Sequence, residues 1–249
     1  MQPAFHLRLT PDQVGQYVLL PGDPGRVPLI AQRLATAGCV SCNREFTTYT
    51  GTLDGVKVSV VSTGIGGPSA AIALEELAAL GVRTAIRIGT CGGIADKVRP
   101  GDVVIASAAC RQEGTTREYA PLHYPAAADY TVLRALADSA AALGVRHHVG
   151  VIQSKDSFYG EHEPERMPVA DELLGYWNAW RRLGVLVSEM EAAALFVVGA
   201  SLGVRVGAVL QTLWNQETGG TDAANQSEAF IDVAVGALRA LIKQNEERK

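Results

Sequence analysis

An arginine stands two positions before a cluster of glycines and small polar side chains, within residues 84–93 (TAIRIGTCGG). The apolar residues around it predict a central strand covered on both faces, where a guanidinium is costly unless an anion meets it. The glycines that follow are expected to turn the backbone sharply and to leave N–H groups free for a ligand. In open α/β sheets ligands bind at the carboxyl ends of strands, where we expect Arg87 and Thr90. The stretch therefore indicates an anion site, with an edge-strand arginine that reaches solvent as the alternative.

A second loop rich in glycine follows the first predicted strand, residues 17–20. Residues 21–26 (PGDPGR) end in an arginine, and helical spacing of apolar residues begins directly after it. A strand, a glycine loop and a helix with arginine in its first turn can cradle an anion. The loop lacks the lysine and the spacing of G-x-x-x-x-G-K-[ST], so a nucleoside triphosphate is disfavoured.

A third glycine-rich loop, residues 63–69 (TGIGGPS), is close to the G-x-G-x-x-G fingerprint of dinucleotide-binding proteins. Its sixth position is Ser69, and the next strand offers Arg87 where an acidic residue would hold the ribose. NAD binding is therefore disfavoured.

Strand and helix patterns alternate along the chain without an internal repeat or a break in composition. Asp54-Gly55 predicts a hairpin turn between two strands, while residues 157–168 are expected to form an irregular loop. Trp177 and Trp180 are expected to face the core from the helix that follows this loop. The pattern predicts a single α/β domain over residues 1–249.

Composition excludes several classes of protein. Hydrophobic residues make up 47% and charged residues 19% of the 249 residues, which predicts a buried core and excludes global disorder. A formal net charge of -4 argues against nucleic-acid binding, and no apolar run is long enough for a membrane span. The N-terminal residues do not resemble a signal peptide, so we expect a cytoplasmic protein. Cys39 and Cys42 form a lone C-x-x-C, for which free thiols are a simpler interpretation than zinc.

Five segments match one known pattern, in order and at compatible spacing. They are residues 21–26, 44–46 (REF), 63–69, 87–90 (RIGT) and 188–191 (SEME). Together these segments resemble the nucleoside phosphorylase family, whose members include uridine phosphorylase and the hexameric purine nucleoside phosphorylases. The resemblance extends from His6 to the last predicted helix. It implies a single α/β domain with a central mixed, barrel-like β-sheet flanked by helices.

The resemblance also implies a reaction and its site. Members of this family cleave a nucleoside with inorganic phosphate, which gives the free base and ribose 1-phosphate. The residues at phosphate-binding positions are Gly22, Arg26, Arg44, Arg87 and Thr90, and those at ribose-binding positions are His6, Met190 and Glu191. Arg44 and His6 would come from a neighbouring subunit, so the expected assembly is a homo-oligomer with shared sites, a hexamer. No cofactor is implied beyond phosphate as co-substrate and a monovalent cation, for which the matching positions are Glu45, Ile65 and Ser69.

The chemistry of phosphorolysis agrees with these residue types. Phosphate is a dianion and an indifferent nucleophile, so an enzyme must bind and aim it, and guanidinium groups grip two oxygens at once. An oxocarbenium-like transition state needs a carboxylate on the sugar hydroxyls, which Glu191 can supply. The alternative, a glutamate that only favours the helix dipole, is worth under ~1 kcal/mol. Arg87 and Glu191 are therefore candidate catalytic residues.

The loop from Lys155 to Arg166 departs from the family pattern. Uridine phosphorylases carry a Gln-x-Arg pair after Phe-Tyr that binds the uracil edge, whereas this chain has Phe158-Tyr159 followed by GEHE. Lys155, His162 and Arg166 are the available donors for uracil carbonyl oxygens, and Lys155 is a third catalytic candidate because uracil leaves as an anion. Phe158 is expected to stack on the base. Glu161 is the available acceptor for an N–H, although it would repel uracil oxygens placed beside it.

Two observations favour uridine, or a close pyrimidine nucleoside, over purine nucleosides. Purine nucleoside phosphorylases place an aspartic acid after the last core strand to protonate N7, whereas residues 211–217 (QTLWNQE) contain none and the next is Asp222. The other motifs lean towards uridine phosphorylase. A purine nucleoside phosphorylase is the alternative on the same fold, and a hydrolytic nucleosidase has no use for three phosphate-directed arginines. A non-enzymatic nucleoside- or anion-binding protein is the alternative of another class.

Overall fold

One mixed sheet organises the chain. The computed structural model describes residues 2–221 and 228–247, and ten strands within these ranges belong to this sheet. The strands are β1 (Tyr17–Pro21), β2 (Ala35–Asn43), β3 (Phe46–Leu53), β4 (Val56–Val61), β5 (Thr84–Gly93), β6 (Val103–Gln112), β7 (Ala126–Ala127), β8 (His147–Lys155), β9 (Val187–Glu189) and β10 (Arg205–Asn215). The α-helices are α1 (Arg26–Ala31), α2 (Gly67–Ala79), α3 (Tyr130–Ala142), α4 (Phe158–His162), α5 (Ala170–Leu183), α6 (Ala192–Leu202) and α7 (Ala229–Glu246).

Five of the strands close into a barrel. β5 pairs in parallel with β10, β10 runs antiparallel to β6, and β6 pairs in parallel with β8. β9 then lies parallel to β8 and antiparallel to β5, which closes the ring. β1 pairs in parallel with β5 and β4, and β3 and β2 extend the sheet outward from β4. The expected fold, a mixed barrel-like α/β sheet flanked by helices, is confirmed.

The edge of β5 that faces β1 changes partner along its length. β1 pairs with Thr84–Ile88, and β9 pairs only with Gly92 and Gly93. Among the described residues, the short stretch between these pairings has no strand on that edge. The sequence had suggested that Arg87 lies at the carboxyl end of its strand. In the structure it lies in the middle of β5. The interruption in pairing leaves an opening in the wall of the barrel directly after it.

Helices cover both faces of the sheet through two hydrophobic clusters. α2 and α6 pack on one side, where every residue of α6 from Ala192 to Gly199 is buried. α1, α3 and α7 pack on the other side, with Leu136 and Leu238 fully buried. Each such leucine contributes about 1.5–3 kcal/mol relative to an exposed one. This burial fixes the barrel and hence the strand ends that carry the polar residues.

The glycines after Arg87 do not turn the backbone, so that expectation was wrong. Gly89, Gly92 and Gly93 lie within β5, which pairs with β10 as far as Gly93. A Cβ on Gly92 would lie 2.9 Å from Nε1 of Trp214, and one on Gly93 would lie 2.5 Å from Nδ2 of Asn215. Glycine is required here because side chains of β10 cross close over the backbone of β5.

Two other expectations were also wrong. Residues 157–168, expected to be irregular, contain α4 and a 3-10 helix at Pro164–Arg166. The structure describes all of α5, and none of its residues is buried. Trp177 and Trp180 are half-buried and use their indole N–H groups, which donate to Glu217 Oε1 at 2.6 Å and to Gln112 Oε1 at 2.9 Å. Trp side chains are amphipathic, and here a polar contact decides their position rather than the core.

Strand β2 has no clear sequence pattern because it is an edge strand with none of its residues buried. Strand β3 starts at Phe46, after the turn from β2 in which Arg44 adopts a φ of 55°. Within the described ranges, no helix has the length and apolar character needed to cross a membrane. The same ranges contain no cluster of three or more side chains suited to a metal ion.

Candidate active site

A cavity of about 620 Å³ opens where the pairing of β5 is interrupted. Residues at or after the ends of β1, β8, β9 and β10 line it together with the middle of β5. Nine residues expected to bind phosphate, ribose or base line this cavity: Gly22, Arg26, Arg87, Thr90, Lys155, Phe158, His162, Met190 and Glu191. The three residues at cation-binding positions, Glu45, Ile65 and Ser69, line it as well.

Arg87 lies at the bottom of the cavity and is 3% exposed. Its Nε donates to Glu189 Oε2 at 2.9 Å, and one terminal nitrogen, Nη2, pairs with Glu191 Oε2. Burial opposes the charge, but the two carboxylates outweigh it and raise the pKa of Arg87. The other terminal nitrogen, Nη1, is buried without a hydrogen-bond partner among the described residues. A buried guanidinium nitrogen without an acceptor is a reason to expect an anionic ligand there.

Glu189 is the main site residue that sequence reasoning missed. Its carboxylate accepts hydrogen bonds from the backbone N–H groups of Glu191 at 2.9 Å and of Ala192 at 3.0 Å. Ser154 Oγ donates to it as well. The carboxylate therefore holds the first turn of α6 and Arg87 at once. The E-x-E spacing of residues 189–191 could have indicated a second buried carboxylate, but only Glu191 was singled out.

Glu191 connects α6 to the loop of residues 63–67. Its Oε1 accepts the N–H of Gly66 at 2.6 Å, and Gly66 has a φ of 94° that favours glycine. Burial is the main cause that raises the pKa of Glu191, the charge of Arg87 acts against it, and Glu189 adds to the rise. The carboxylate is therefore held in place from two sides at the wall of the cavity.

Arg26 provides a second guanidinium on the same side of the cavity. Its Nη1 donates to the carbonyl of Ile88, the last residue of β5 that pairs with β1, at 3.5 Å, and its charge lies 5.6 Å from the ring centre of Phe230. Burial lowers the pKa of Arg26, Asp23 opposes this change, and the positive charge of Arg87 adds to it. Two cations that disfavour each other form a site that an anion stabilises.

Four residues expected in the site do not line the cavity of their own chain: Arg44, His6, Glu161 and Arg166. Arg44 is exposed in the turn before β3. His6 is held by Glu76 on α2, which accepts its Nδ1–H at 2.8 Å and its backbone N–H at 2.9 Å. Arg44 and His6 therefore need another subunit if they are to act at a site of this kind.

The opposite end of the cavity carries Lys155 and three aromatic rings. Lys155 is 5% exposed; its Nζ donates to Ser188 Oγ, and to Glu161 Oε1 at 3.1 Å. The ring centre of His162 lies 4.3 Å from that of Phe158 and 5.3 Å from that of Trp214. We call these three rings the aromatic wall. Trp214 was not expected in the site, because nothing in the sequence indicates that β10 ends beside α4.

His162 does not supply the donor expected of it. Gln216 donates from Nε2 to the carbonyl of Glu161 at 3.3 Å, so its Oε1 faces His162 Nδ1 at 3.0 Å. Nδ1 must then carry the proton, and Nε2 is an acceptor. Burial and the charge of Lys155 lower the pKa of His162, which keeps the ring neutral near pH 7. Lys155 is thus the cationic donor at this end of the cavity.

Arg166 and Cys91 are weaker candidates for a role in the site than their positions in the sequence indicated. Arg166 does not line the cavity; its Nε lies 3.0 Å from Glu163 Oε2 and its charge lies 5.1 Å from the ring centre of Tyr159. Cys91 lines the cavity, but burial raises the pKa of its thiol to about 12. A thiol that stays protonated is a poor nucleophile.

The mixed barrel and a cavity that brings together two arginines and two buried carboxylates define an α/β protein with a site suited to a small anion. A family model described as the phosphorylase superfamily matches residues 16–244. The chain belongs to this superfamily.

Individual relatives point in the same direction. A protein of Treponema pallidum named uridine phosphorylase is 50% identical over 98% of this chain and 96% of its own length. One of Thermococcus kodakarensis with the same name is 42% identical over 98% of this chain and 89% of its own length. A protein of Halorubrum lacusprofundi named guanosine phosphorylase is 38% identical over 96% of this chain and 94% of its own length.

Proposed function

We propose that this protein is a pentosyltransferase that cleaves uridine with inorganic phosphate to give uracil and ribose 1-phosphate. The observation that carries the proposal is Arg87, a buried guanidinium held by Glu189 and Glu191 with its Nη1 left for an anion. The names of the relatives from Treponema pallidum and Thermococcus kodakarensis support uridine as the nucleoside.

Phosphate binds between the two guanidinium groups. Arg26 and Arg87 neutralise the dianion, and the backbone of Gly22 and the hydroxyl of Thr90 complete the cradle. The arginines need no reorganisation during the reaction because Glu189 and the carbonyl of Ile88 already hold them. Preorganised donors of this kind stabilise developing charge better than water does.

Ribose binds between phosphate and the aromatic wall. Glu191 accepts hydrogen bonds from sugar hydroxyls, and Met190 packs on the sugar ring. As the glycosidic bond breaks, positive charge develops on the sugar, and the carboxylate of Glu191 and the bound phosphate both stabilise it. The raised pKa of Glu191 falls towards its ordinary value as this cation forms, since a positive neighbour favours the ionised carboxyl.

The base leaves as an anion towards Lys155. Phe158 of the aromatic wall stacks on the ring, and the ammonium donates to a carbonyl oxygen as negative charge moves onto the base. A buried charged donor at this position supplies about 2–4 kcal/mol of barrier reduction. Base binding by His162 belongs to the same proposal, whereas Glu161, whose carboxylate pairs with Lys155, and Arg166 do not line the cavity.

Phosphorolysis of a purine nucleoside is the second candidate. The guanosine phosphorylase of Halorubrum lacusprofundi favours it. Against it, residues 211–217 provide no acid for a purine ring nitrogen. Asp222, the next aspartic acid in the sequence, lies outside the described residues.

A shared-site homo-oligomer, a hexamer, is part of the proposal. Arg44 and His6 lie away from their own cavity, and exposed apolar side chains accompany them: Phe5 is 68% exposed and Ile65 is 78% exposed. Such exposed apolar groups favour burial in an interface. We also propose a cytoplasmic location, where thiols stay reduced, and one domain over residues 1–249.

A monovalent cation fits the mouth of the cavity. Ser69 Oγ donates to the carbonyl of Ile65 at 3.1 Å, and Glu45 lies against Gly64 of the same loop, where a Cβ would come within 2.8 Å of its Cγ. A carboxylate, a hydroxyl and a carbonyl oxygen are hard ligands of the kind that such cations take. The cation would hold this loop against a neighbouring subunit.

One assay tests the proposed reaction. The measurement is kcat/KM for uridine and for inosine, each with saturating phosphate and with phosphate omitted. We expect cleavage that requires phosphate and favours uridine. Faster cleavage of inosine would replace the substrate, cleavage without phosphate would indicate a nucleosidase, and binding without turnover would indicate a non-enzymatic binding protein.

A further inference from the structure

The chain has three tryptophans, and they differ in what their indole N–H groups contact. Trp177 donates to Glu217, and Trp180 donates to Gln112. Trp214 lines the cavity instead, and among the described residues its N–H has no hydrogen-bond acceptor. A tryptophan N–H that is withdrawn from bulk water usually finds an acceptor. Trp214 is half-buried, so its N–H is a donor left for a molecule bound in the cavity.

An irregularity in strand pairing aims Trp214 at the cavity. β10 pairs with β5 as far as Thr212, which lies opposite Cys91. The next pair joins Trp214, and not Leu213, to Gly92, so Leu213 is an extra residue of the kind that forms a β-bulge. Because side chains alternate along a strand, the extra residue turns Trp214 to the face that an unbroken strand would give to Leu213. Bulges beside binding sites commonly re-aim a side chain in this way.

Gly92 places the indole N–H in relation to Lys155. A Cβ on Gly92 would lie 2.9 Å from Nε1 of Trp214, so the N–H edge of the ring crosses directly over the backbone of β5. On its other side Gly92 pairs with Ser188 of β9, whose Oγ accepts a hydrogen bond from Lys155. Trp214 and Lys155 are therefore two donors with Gly92 and Ser188, neighbours in the barrel wall, between them.

Both donors also lie close to the ring on which the base is expected to stack. Lys155 Nζ is 5.9 Å from the ring centre of Phe158. The ring centre of Trp214 is 6.2 Å from the same point, at an interplanar angle of 76°. A base stacked on Phe158 can therefore reach the ammonium and the indole N–H with different edges.

We propose that the indole N–H of Trp214 donates a hydrogen bond to a carbonyl oxygen of the base, as the second donor beside Lys155. This inference rests on the proposed function and specifies how its base is recognised. Uracil has two carbonyl oxygens, and negative charge spreads onto both when it leaves as an anion. A neutral donor at one oxygen and a cationic donor at the other stabilise this charge without reorganisation, because packing holds both side chains in place.

A packing role without a hydrogen bond is the alternative, since Trp214 belongs to the aromatic wall. Its ring centre lies 5.3 Å from that of His162, at an interplanar angle of 70°. Phenylalanine at this position keeps an aromatic ring and removes the N–H group. A packing role predicts the same change for every base of similar size, whereas a hydrogen bond predicts a change that depends on one oxygen atom.

The test compares uridine with 2-thiouridine and 4-thiouridine, in each of which sulfur, a weak acceptor, replaces one carbonyl oxygen. We expect Trp214→Phe to lower kcat/KM for uridine by about threefold to tenfold, as for loss of a neutral hydrogen bond. The thio analogue that is altered at the contacted oxygen should change much less, and the other should fall as uridine does. Each substrate is compared with itself in wild type and variant, so the different leaving tendencies of the thiouracils cancel.

Trp180→Phe is the matched control for the loss of an indole. Its N–H is bonded to Gln112 outside the cavity, so this variant should leave all three substrates at wild-type values. Both variants keep an aromatic ring at a half-buried position, and far-UV circular dichroism checks that they fold. A folded Trp214→Phe protein that changes all three substrates equally, or none of them, overturns the inference.

The outcome for the proposed function is read from the wild-type protein alone. If wild type cleaves uridine with phosphate and Trp214→Phe shows no dependence on the oxygen atom, only the inference about Trp214 is wrong. If wild type cleaves inosine faster than uridine, the proposed substrate is wrong, and inosine is compared with 6-thioinosine. A loss in Trp214→Phe confined to inosine then supports the role of the indole, and equal losses overturn it. Absence of phosphate-dependent cleavage of any nucleoside overturns both.

Discussion

At the scale of single residues, the site depends on cations and carboxylates that hold each other. Arg87 is tolerated in the interior because Glu189 and Glu191 neutralise it, and removing it would leave two buried glutamates without a cationic partner. Breaking such a pair destabilises a protein by roughly 3–5 kcal/mol. A substitution at Arg87 therefore combines a loss of phosphate binding with a loss of folding, so the phosphate site is better tested elsewhere.

Arg26 offers that cleaner test. We expect Arg26→Ala to raise the phosphate KM by about tenfold or more, since a charge-assisted hydrogen bond contributes about 1.5–3 kcal/mol. The uridine KM should change much less, because Arg26 lies on the phosphate side. Steady-state kinetics with varied phosphate check this, with Arg33→Ala as the control because Arg33 pairs with Glu228 and Asp232 away from the cavity. A wild-type phosphate KM in Arg26→Ala would remove the residue from the site.

At the scale of elements, helix α2 holds the N-terminal arm that carries His6. Glu76 accepts hydrogen bonds from the backbone N–H groups of His6 at 2.9 Å and Leu7 at 2.8 Å, besides the imidazole. Burial raises the pKa of Glu76, but these hydrogen bonds outweigh it and hold the pKa below its ordinary value of 4.5. A carboxyl whose pKa is lowered by folding stabilises the fold above its unfolded pKa, and this contribution is lost as the pH falls through the folded pKa.

Glu76→Gln should therefore lower the melting temperature at pH 7, and the difference from wild type should shrink as the pH falls below the ordinary pKa of a glutamate. Thermal unfolding measured at several pH values checks this. Glu118→Gln, at an exposed glutamate of the 3-10 helix before β7, is the control and should show little difference at any pH. A constant difference between Glu76→Gln and wild type at all pH values would contradict the assigned role of the charge.

Two helix glycines give opposite predictions for the same substitution. A Cβ on Gly199 of α6 would lie 2.4 Å from Cγ2 of Val206, whereas a Cβ on Gly175 of α5 would meet nothing within 4 Å. Gly199→Ala should destabilise the protein by about 1–3 kcal/mol through overpacking. Gly175→Ala should stabilise it by about 0.5–1 kcal/mol, because alanine favours helix. Denaturant unfolding of both variants measures this, and a loss of stability in Gly175→Ala would show that α5 packs against something further.

At the scale of the whole molecule, the proposed sharing of Arg44 and His6 between subunits would leave the cavity incomplete within one chain. Arg44 is exposed and lies away from its own cavity, and His6 is fixed on α2. A site that takes residues from two subunits couples assembly to activity, so an isolated subunit should be inactive.

Mixing two variants of reduced activity, assayed at a low phosphate concentration, tests this coupling. Arg44→Ala and Arg26→Ala subunits should each form defective sites, and subunits refolded together should recover part of the activity. Recovery is expected because some interfaces then join an intact Arg26 to a neighbour's intact Arg44. Each variant refolded alone is the control. A fully active monomer, measured by light scattering during the assay, would refute the shared site.

Much of the fold and of the site could be predicted from the sequence, because the patterns that carry them are local. Alternation of apolar residues predicted most strands, and helical spacing of apolar residues predicted most helices. Asp54-Gly55 predicted the hairpin between β3 and β4. Gly22 and Arg26, or Arg87 and Thr90, lie a few residues apart, so one loop or strand is enough to bring them together. The edge strand β2 was missed because an exposed strand needs no hydrophobic pattern.

Only the tertiary structure decided the contacts between residues far apart in the chain. The closure of the barrel, the pairing of Glu189 with Arg87 and the position of Trp214 beside His162 all depend on which strands become neighbours. The tautomer of His162 depends on Gln216, which is 54 residues away in sequence. Sequence by itself determined the kinds of chemical groups and their local spacing. Packing decided which of them meet, because strand pairing and burial are properties of the whole sheet.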